Sequence, residues 1–344
     1  MACESTSSAL QPGAPKQETI IVGISGPSSS GKTTIARLLR RIFSVSRGDE
    51  GASDKDAGIE SFLVHEDDFY YTDDKIPLAT TPSGELVQDW DTIDAIDVAR
   101  FSSALSYIRN NGALPPFLKS KEDLNEVKDS GISDETVERF RKLVFDRLKP
   151  VLGGNNGGIP QSSIKLAFVE GFLLYAPPPS TSPSHPLRPI HSNIHIPLFL
   201  PATYSHVKAR REGRSGYVTI GPPPKPSAKP DSDGKGMGTD TEQQGEKTEE
   251  NYDEELPNQN FWEDPPGYVD DIVWPHYIKD HAWLLGPDSA DGTQGDDAAK
   301  PKEGGNVRED VGVSVAPGKG ESSLEEMLGW SVEEVIRELK EMEP

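Results

Sequence analysis

The sequence predicts a three-layer α/β fold with a mainly parallel sheet flanked by helices. Three observations carry that expectation: short aliphatic and β-branched runs recur along the chain, segments with helical apolar spacing separate them, and a glycine-rich turn joins the first run to the first helix. Residues 26–33 of that turn, Gly-Pro-Ser-Ser-Ser-Gly-Lys-Thr, match the pattern G-x-x-x-x-G-K-[ST], and the flanking strand and helix supply the context that a phosphate cradle needs. A nucleoside triphosphate is therefore the first ligand to expect.

Residues 19–24 (Thr-Ile-Ile-Val-Gly-Ile) form the first expected strand, and Ile35, Ala36, Leu38 and Leu39 give the next segment helical spacing. Residues 61–65 read as a second strand that delivers Glu66-Asp67-Asp68-Phe69-Tyr70 to its C-terminal end, the edge where open parallel sheets bind ligands. Asp91 or Thr92 is placed to cap a helix carrying Ile93, Ile96, Phe101, Leu105 and Ile108. A further helix is expected over 134–148, a third strand over 164–169 ending at Glu170-Gly171, a fourth over 197–200, and a helix over 204–214. Beyond these, 268–285 reads as helix, 311–315 as strand and 323–342 as helix, with Ser323 and Glu326 spaced for a capping box.

Around this core the composition changes. Apolar residues make up only 34% of the 344-residue chain, and its 32 glycines and 30 prolines concentrate in blocks without hydrophobic period. The expected organisation is a disordered tail over 1–17 and a single domain over 18–344, with flexible insertions near 47–58, 112–162, 177–189, 219–260 and 286–309. Without the insertions roughly 200 residues remain, a usual size for one α/β domain. The net charge of −22 is weighted to these segments, notably 231–255 and 321–343, and argues against a general nucleic-acid role, which requires basic patches. The single cysteine, Cys3, leaves no intrachain disulfide to form and suits a reducing compartment. No apolar run approaches the ~20 residues needed to span a bilayer. The first residues lack a signal peptide's hydrophobic segment and Ala2 stands where myristoylation needs glycine, so the cytosol is the expected location, with the nucleus open.

The chemistry of the cradle follows from its residues. Gly26 and Gly31 permit backbone conformations closed to other residues, so that N–H groups and the helix N-terminus face phosphate oxygens. Pro27, the small Ser28, Ser29 and Ser30, and Thr34 complete the expected ATP-binding set. Lys32 adds a point charge for the β- and γ-phosphates, and Thr33 a hydroxyl for Mg²⁺. Asp67 suits the base for an attacking alcohol and a partner for magnesium, whereas a capping or water-facing acid is the plainer reading of Asp68. Glu170 ends an otherwise apolar strand, where it either holds magnesium's water shell or pairs with a core group. Arg210, Arg211 and Arg214 precede Ser215-Gly216-Tyr217, which suits a lid over transferring phosphoryl or a solvated basic face. In Asp89-Trp90-Asp91 the indole is a surface anchor or a stacking platform, with Asp91 able to accept ribose hydroxyls.

Gly-Ile-Ser-Gly-x-x-x-Ser-Gly-Lys-Thr-Thr from Gly23, Asp-Asp-Phe-Tyr from Asp67, Trp90-Asp91, Val-Glu-Gly-Phe-Leu-Leu-Tyr from Val169, and Pro-Gly-Tyr-Val-Asp-x-x-Val-Trp-Pro-x-Tyr from Pro266 occur in the order found in nicotinamide riboside kinases, relatives of the uridine kinases. The chain resembles that family over roughly 19–45, 61–111, 164–176, 194–218 and 262–285, with a weaker echo in the last helix. The resemblance implies a P-loop nucleoside-kinase fold with a flexible lid, ATP as phosphoryl donor, Mg²⁺ as cofactor, and a monomer. It puts Asp67 at the proton acceptor and magnesium-associated aspartate, Thr33 at the magnesium-binding hydroxyl, and Asp91 at the ribose-binding aspartate. Tyr70 falls at a substrate-contacting aromatic, Arg211 at a substrate-contacting arginine, and Arg210 and Arg214 at lid residues that reach ATP. Trp90 stands where many members have tyrosine, and Tyr217 matches the opposing aromatic once one extra lid residue is allowed. Lys32, Asp67 and Glu170 form the expected catalytic set.

A flat pyridinium cation suits two aromatic faces, through stacking and a cation–π attraction of roughly 0.5–2 kcal/mol. Uracil would need fixed partners for its carbonyls and N–H, and, backbone groups aside, no cluster in the sequence supplies them. The expected activity is phosphorylation of nicotinamide riboside at its 5′-hydroxyl, with nicotinic acid riboside as a second substrate, in NAD biosynthesis. The same-class alternative is a uridine or cytidine kinase. A non-catalytic ATP-binding switch is the alternative of a different class, disfavoured by the joint presence of Asp67 and Asp91.

The insertion at 219–260 interrupts the lid region between Tyr217 and Pro266-Gly267-Tyr268, and loop entropy grows only slowly with length. Deleting residues 225–255 is expected to leave turnover within a few-fold of the full chain. Collapse of turnover in a deletion variant with an unchanged circular dichroism spectrum would give the insertion a part in activity.

Overall fold

The computed structural model describes residues 19–46, 58–120, 129–150, 164–214, 216–220, 259–286 and 307–342. The expected tail at 1–17, most of the segments at 47–58, 219–260 and 286–309, and the stretches 121–128 and 151–162 lie outside the described residues. In chain order the elements are β1 (Ile20–Ser25), α1 (Lys32–Phe43), β2 (Val45–Ser46), β3 (Gly58–His65), β4 (Leu78–Thr80), β5 (Leu86–Gln88), α2 (Val98–Asn111), α3 (Asp134–Leu148), β6 (Ile164–Gly171) and α4 (Arg188–His191). They continue with β7 (Ile196–Phe199), α5 (Tyr204–Glu212), β8 (Tyr217–Ile220), β9 (Gln259–Trp262), α6 (Trp274–Asp280), β10 (Ser314–Val315) and α7 (Leu324–Glu341).

Six strands pair in the order β10-β7-β1-β6-β3-β2, all neighbours parallel except the antiparallel edge strand β2. Strand alternation sends successive side chains to opposite faces, and both faces are covered. Ile21, Val64, Ala167 and Val169 join one apolar cluster with Phe101, Leu105 and Ile108 of α2. Val22, Ile24, Leu166 and Phe168 join the other with Ile35 and Leu39 of α1, Val144 of α3 and Val332 of α7. This is the three-layer arrangement expected from the sequence. The Ser323–Glu326 capping box at the start of α7 also forms, a motif whose cap contributes about 1 kcal/mol. Among the described residues no helix is long and apolar enough to cross a membrane.

Several boundaries differ from the sequence reading. The helix expected after Asp91 is split: Thr92 caps only the short 3₁₀ turn Ile93–Ala95, Ile96 bridges to Tyr70, and Asp97 caps α2 through Arg100 N at 2.9 Å. The strand expected at 311–315 shrinks to Ser314–Val315 because Gly312 takes a left-handed conformation with φ 77°. The helix expected over 268–285 opens as a π-helical turn, Val269–Val273, and ends at Asp280. Residues 177–189, expected as an insertion, are turns that run into α4 and are held by Arg188, which donates to the carbonyls of Pro177 and Ser182. Two hairpins, β4–β5 and β8–β9, had no counterpart in the sequence reading.

His281 follows α6 and packs its ring against Tyr277 and Phe199, at centroid distances of 4.9 and 5.5 Å. Burial pushes its pKa from 6.5 down to about 4. An imidazole that binds its proton more readily unfolded than folded leaves stability intact above pH 6.5 and removes it progressively as pH falls toward 4. His281→Phe is therefore expected to lose less stability than the wild type across that interval, read as thermal midpoints against pH. Parallel profiles for the two proteins would contradict the assignment.

Candidate active site

Parallel register brings the candidate residues to one edge of the sheet. Glu170 on β6 is level with Ile24 on β1 and His65 on β3, so the loop after β1 and the acids after β3 flank the end of β6. In the loop, Gly26 and Gly31 have φ of 155° and 99°. A Cβ on Gly26 would lie 2.3 Å from the carbonyl oxygen of Leu200, so glycine is required there on steric grounds too. Ser29 also has a positive φ, 62°. The hydroxyls of Ser29 and Ser30 are buried without a hydrogen-bond partner, which leaves them available to phosphate oxygens. Lys32 Nζ donates to Pro27 O at 2.9 Å, and Arg210 Nη1 reaches Ser29 O at 3.3 Å.

Three acids behave differently within a few residues. Burial raises the pKa of Glu170, but His65 Nδ1 at 2.8 Å from Oε1, with Lys32 and Thr33, outweighs it and holds the carboxyl below its usual range. Glu170 thus both pairs with a core histidine and lines the cleft. Glu66 is fully buried, and burial pushes its pKa up to about 8. Its Oε2 accepts from the backbone N–H of Phe172 at 2.6 Å and of Leu173 at 3.1 Å, which clamps the turn after β6 to the loop after β3. Asp67 alone of the loop's three acids lines the cleft, while Asp68, expected to face water or cap a helix, is buried with 3% of its surface exposed.

The cleft encloses about 1040 Å³ open to solvent. Ser28, Ser29, Gly31, Lys32, Thr33, Thr34, Asp67 and Glu170 line it together with Tyr70, Trp90, Asp91, Arg211, Arg214 and Tyr217. Gly26, Pro27, Ser30 and Arg210 of the expected set shape or touch the loop and do not line the cleft. Arg211, with 6% of its surface exposed, ties several of these residues together. Its Nη1 and Nη2 donate to the two carboxylate oxygens of Asp91, both at 2.9 Å, its Nε to Asp264 Oδ2 at 2.6 Å, and Nη1 also to Ser28 Oγ at 2.7 Å. Burial raises the pKa of Asp91, against the opposing pull of the bidentate, permanently charged Arg211 guanidinium.

Aromatic side chains complete the wall. Tyr70 donates its hydroxyl to Trp90 O at 2.8 Å, meets the Trp90 ring edge-on at 5.4 Å, and stacks on Phe172 at 6.4 Å. Trp90 is buried, not a surface anchor, and Trp262 tilts toward it at 6.0 Å. The guanidiniums of Arg214 and Arg211 lie 5.1 and 5.5 Å from the centroid of Tyr217. Glu66, Asp264 and Trp262 were not assigned roles from the sequence. Glu66 is hidden beside two further acids, and Asp264 and Trp262 carry no motif spacing relative to Arg211 or Trp90.

Similarity to known proteins agrees with this geometry. A nicotinamide riboside kinase from Schizosaccharomyces pombe is 29% identical over 269 residues, covering 78% of this chain and 82% of the relative. The nicotinamide riboside kinase of Eremothecium gossypii is 27% identical over 267 residues, 78% of each chain. That of Saccharomyces cerevisiae is 23% identical over 326 residues, covering 94% of this chain and 99% of the relative. The chain is similar to nicotinamide riboside kinases over most of its length. No family model matches it. A solved structure of a proposed fructose transport system kinase from Silicibacter sp. TM1040 superimposes with a TM-score of 0.31 at 16% identity, over 59% of this chain and 74% of that one, too loosely to bear on the fold.

Gly171 follows Glu170, and a Cβ there would meet Glu66 Oε2 at 2.4 Å. Gly171→Ala should therefore destabilise the protein by about 1–3 kcal/mol through overpacking of the Glu66 clamp, measured by urea denaturation. An unchanged unfolding midpoint would show that the clamp yields without cost.

Proposed function

We propose that this protein transfers the γ-phosphoryl group of ATP to the 5′-hydroxyl of nicotinamide riboside, giving nicotinamide mononucleotide and ADP, a step of NAD biosynthesis. One observation carries the reading: a single cleft is lined by the phosphate loop, by Asp67, and by the buried Asp91–Arg211 pair flanked with aromatic rings. The similarity to three nicotinamide riboside kinases supports the substrate and disfavours a pyrimidine nucleoside. A nucleotide switch would need neither an alcohol-binding carboxylate nor the aromatic wall.

Thr33, Asp67 and Glu170 are the residues that would hold Mg²⁺, and they fit it: all three line the cleft, and Glu170 is kept ionised. Among the described residues no cluster of three or more His, Cys, Asp or Glu forms a ready-made cage, which suits an ion that arrives with the triphosphate. Mg²⁺ held by these residues would supply charge neutralisation on the triphosphate. Asp91 accepts the ribose hydroxyls with Arg211 holding it in place, so the 5′-hydroxyl is presented to Asp67. Asp67 takes the hydroxyl proton as the ribose oxygen bonds to the γ-phosphorus and the bond to the β–γ bridging oxygen breaks, leaving ADP. Lys32, at the first residue of α1, and Arg214, which lines the cleft, stabilise the charge that shifts to the leaving oxygens, while Arg210 braces the phosphate loop through Ser29 O. Nicotinic acid riboside, with the same ribose and a similar ring, is the second substrate.

Asp67→Asn should keep ATP binding and lose ~10²- to 10⁴-fold in turnover, the usual effect of removing a general base. Turnover near the wild-type value would remove Asp67 from that role. In parallel ATP-consumption assays, nicotinamide riboside should outperform uridine and cytidine, and a preference for either pyrimidine nucleoside would overturn the substrate.

A further inference from the structure

Asp89 does not line the cleft and has no part in the transfer, yet only 7% of its surface is exposed. A buried acid is costly unless something pairs with it, and His276 of α6 does so, with Nδ1 at 3.4 Å from Asp89 Oδ1. The same Nδ1 lies 3.0 Å from the main-chain oxygen of Asp91. Both neighbours are acceptors, so Nδ1 carries a proton and donates. Asp89 Oδ1 in turn accepts the backbone N–H of Asp91 at 3.2 Å. One imidazole therefore holds Asp91 at its carbonyl directly and at its N–H through Asp89.

The residues just before Asp91 are held as firmly. The Tyr268 hydroxyl donates to Gln88 O and accepts the backbone N–H of Trp90, both at 3.0 Å, and Tyr70 donates to Trp90 O at 2.8 Å. Tyr268 and His276 stand on either side of the π-helical turn Val269–Val273, whose extra width lets both side chains reach residues 88–91. The groups facing the imidazole are acidic: Asp89 and the Asp91 main chain on the stretch after β5, and Asp280 on its own helix, itself faced by Lys279 and His185. The Asp91 carboxyl group is taken by Arg211. Hydrogen bonding to Asp89, helped by its charge, outweighs desolvation and raises the pKa of His276 above 6.5.

We propose that His276 is a positioning residue for the riboside, fixing through Asp89 and the Asp91 main chain the carboxyl group that receives the ribose hydroxyls. This rests on the riboside kinase reading. As pH rises through the raised pKa, the imidazolium loses its pairing with Asp89, and the neutral ring becomes free to carry its one proton on Nε2 instead of Nδ1. Steady-state kinetics of wild type, His276→Gln, His276→Leu, Asp91→Asn and the His276→Leu/Asp91→Asn double variant test it, with nicotinamide riboside and ATP varied separately from pH 6.5 upward. The wild-type riboside KM should climb roughly 2- to 5-fold as the imidazolium is lost, the worth of a partly exposed ion pair, and the ATP KM should not follow. His276→Gln, which donates without titrating, should lack that climb, and the comparison cancels every other titration in the cleft. His276→Leu should raise the riboside KM roughly 5- to 30-fold at every pH, the worth of a lost hydrogen bond, with the ATP KM little changed. In the Asp91→Asn background the same substitution should add little.

A wild type inactive on nicotinamide riboside would sink the underlying reading. In a wild type active on it, an unchanged riboside KM in His276→Leu, an ATP KM that rises in step with it, or additive losses in the double variant would overturn the positioning role alone. If His276→Leu fails to fold, the wild-type and His276→Gln profiles decide, and parallel profiles would overturn the proposal.

Discussion

The parallel pairing of β1, β6 and β3 is the constraint on which the site depends. Parallel strands end on one side, and the register here sets Ile24, Glu170 and His65 level with one another. The acids near the phosphate loop follow within two residues of that line: His65 against Glu170, Glu66 against the N–H groups after Gly171, and Asp67 at the cleft wall. A one-residue slip of β6 against β3 would turn Glu170 to the opposite face and away from both His65 and the phosphate loop. The apolar clusters on both faces of the sheet oppose such a slip, because it would carry Phe168 and Val169 into each other's layers.

The Asp91–Arg211 side of the cleft rests on a different principle. Arg211 is a nearly fully buried cation, costly to desolvate, and it is tolerated because Asp91, Asp264 and Ser28 occupy its donors in fixed geometry. Ser28 belongs to the phosphate loop, Arg211 to α5, and Asp264 to the chain after β9. A single guanidinium thereby joins the phosphate loop, the Asp91 carboxylate and the chain after the hairpin. Asp264 is also the acceptor for the Trp262 indole, so the aromatic wall and the Asp91–Arg211 pair are mechanically one unit.

Local pattern and spacing were enough to read the phosphate loop, the central strands, α3 and the cap of α7, because each depends on neighbours within a few residues. Long-range geometry hid the rest. Ile96 leaves the helical path to bridge Tyr70, which moves the cap from Thr92 to Asp97, and nothing in the spacing of Ile93, Ile96 and Phe101 records that bridge. β8 and β9 pair across the long stretch 221–258, and each is only four residues long. Glu66 and Asp67 are adjacent acids with opposite fates, one sealed under the turn at Phe172 and the other turned to the cleft, a difference set by the 3₁₀ turn Glu66–Phe69. The resemblance to riboside kinases pointed to Tyr217 as the second aromatic, while the two guanidiniums around it and the tilt of Trp262 toward Trp90 emerge only in three dimensions.

The central claim is that the phosphate loop and the Asp91–Arg211 pair serve one transfer reaction rather than two separate binding events. Phosphorus NMR of the protein incubated with ATP, Mg²⁺ and nicotinamide riboside tests it most directly. The account predicts a new phosphomonoester resonance split by the two 5′-methylene protons, growing in step with ADP. Inorganic phosphate as the only new resonance, or a phosphomonoester coupled to a single ribose proton, would contradict it.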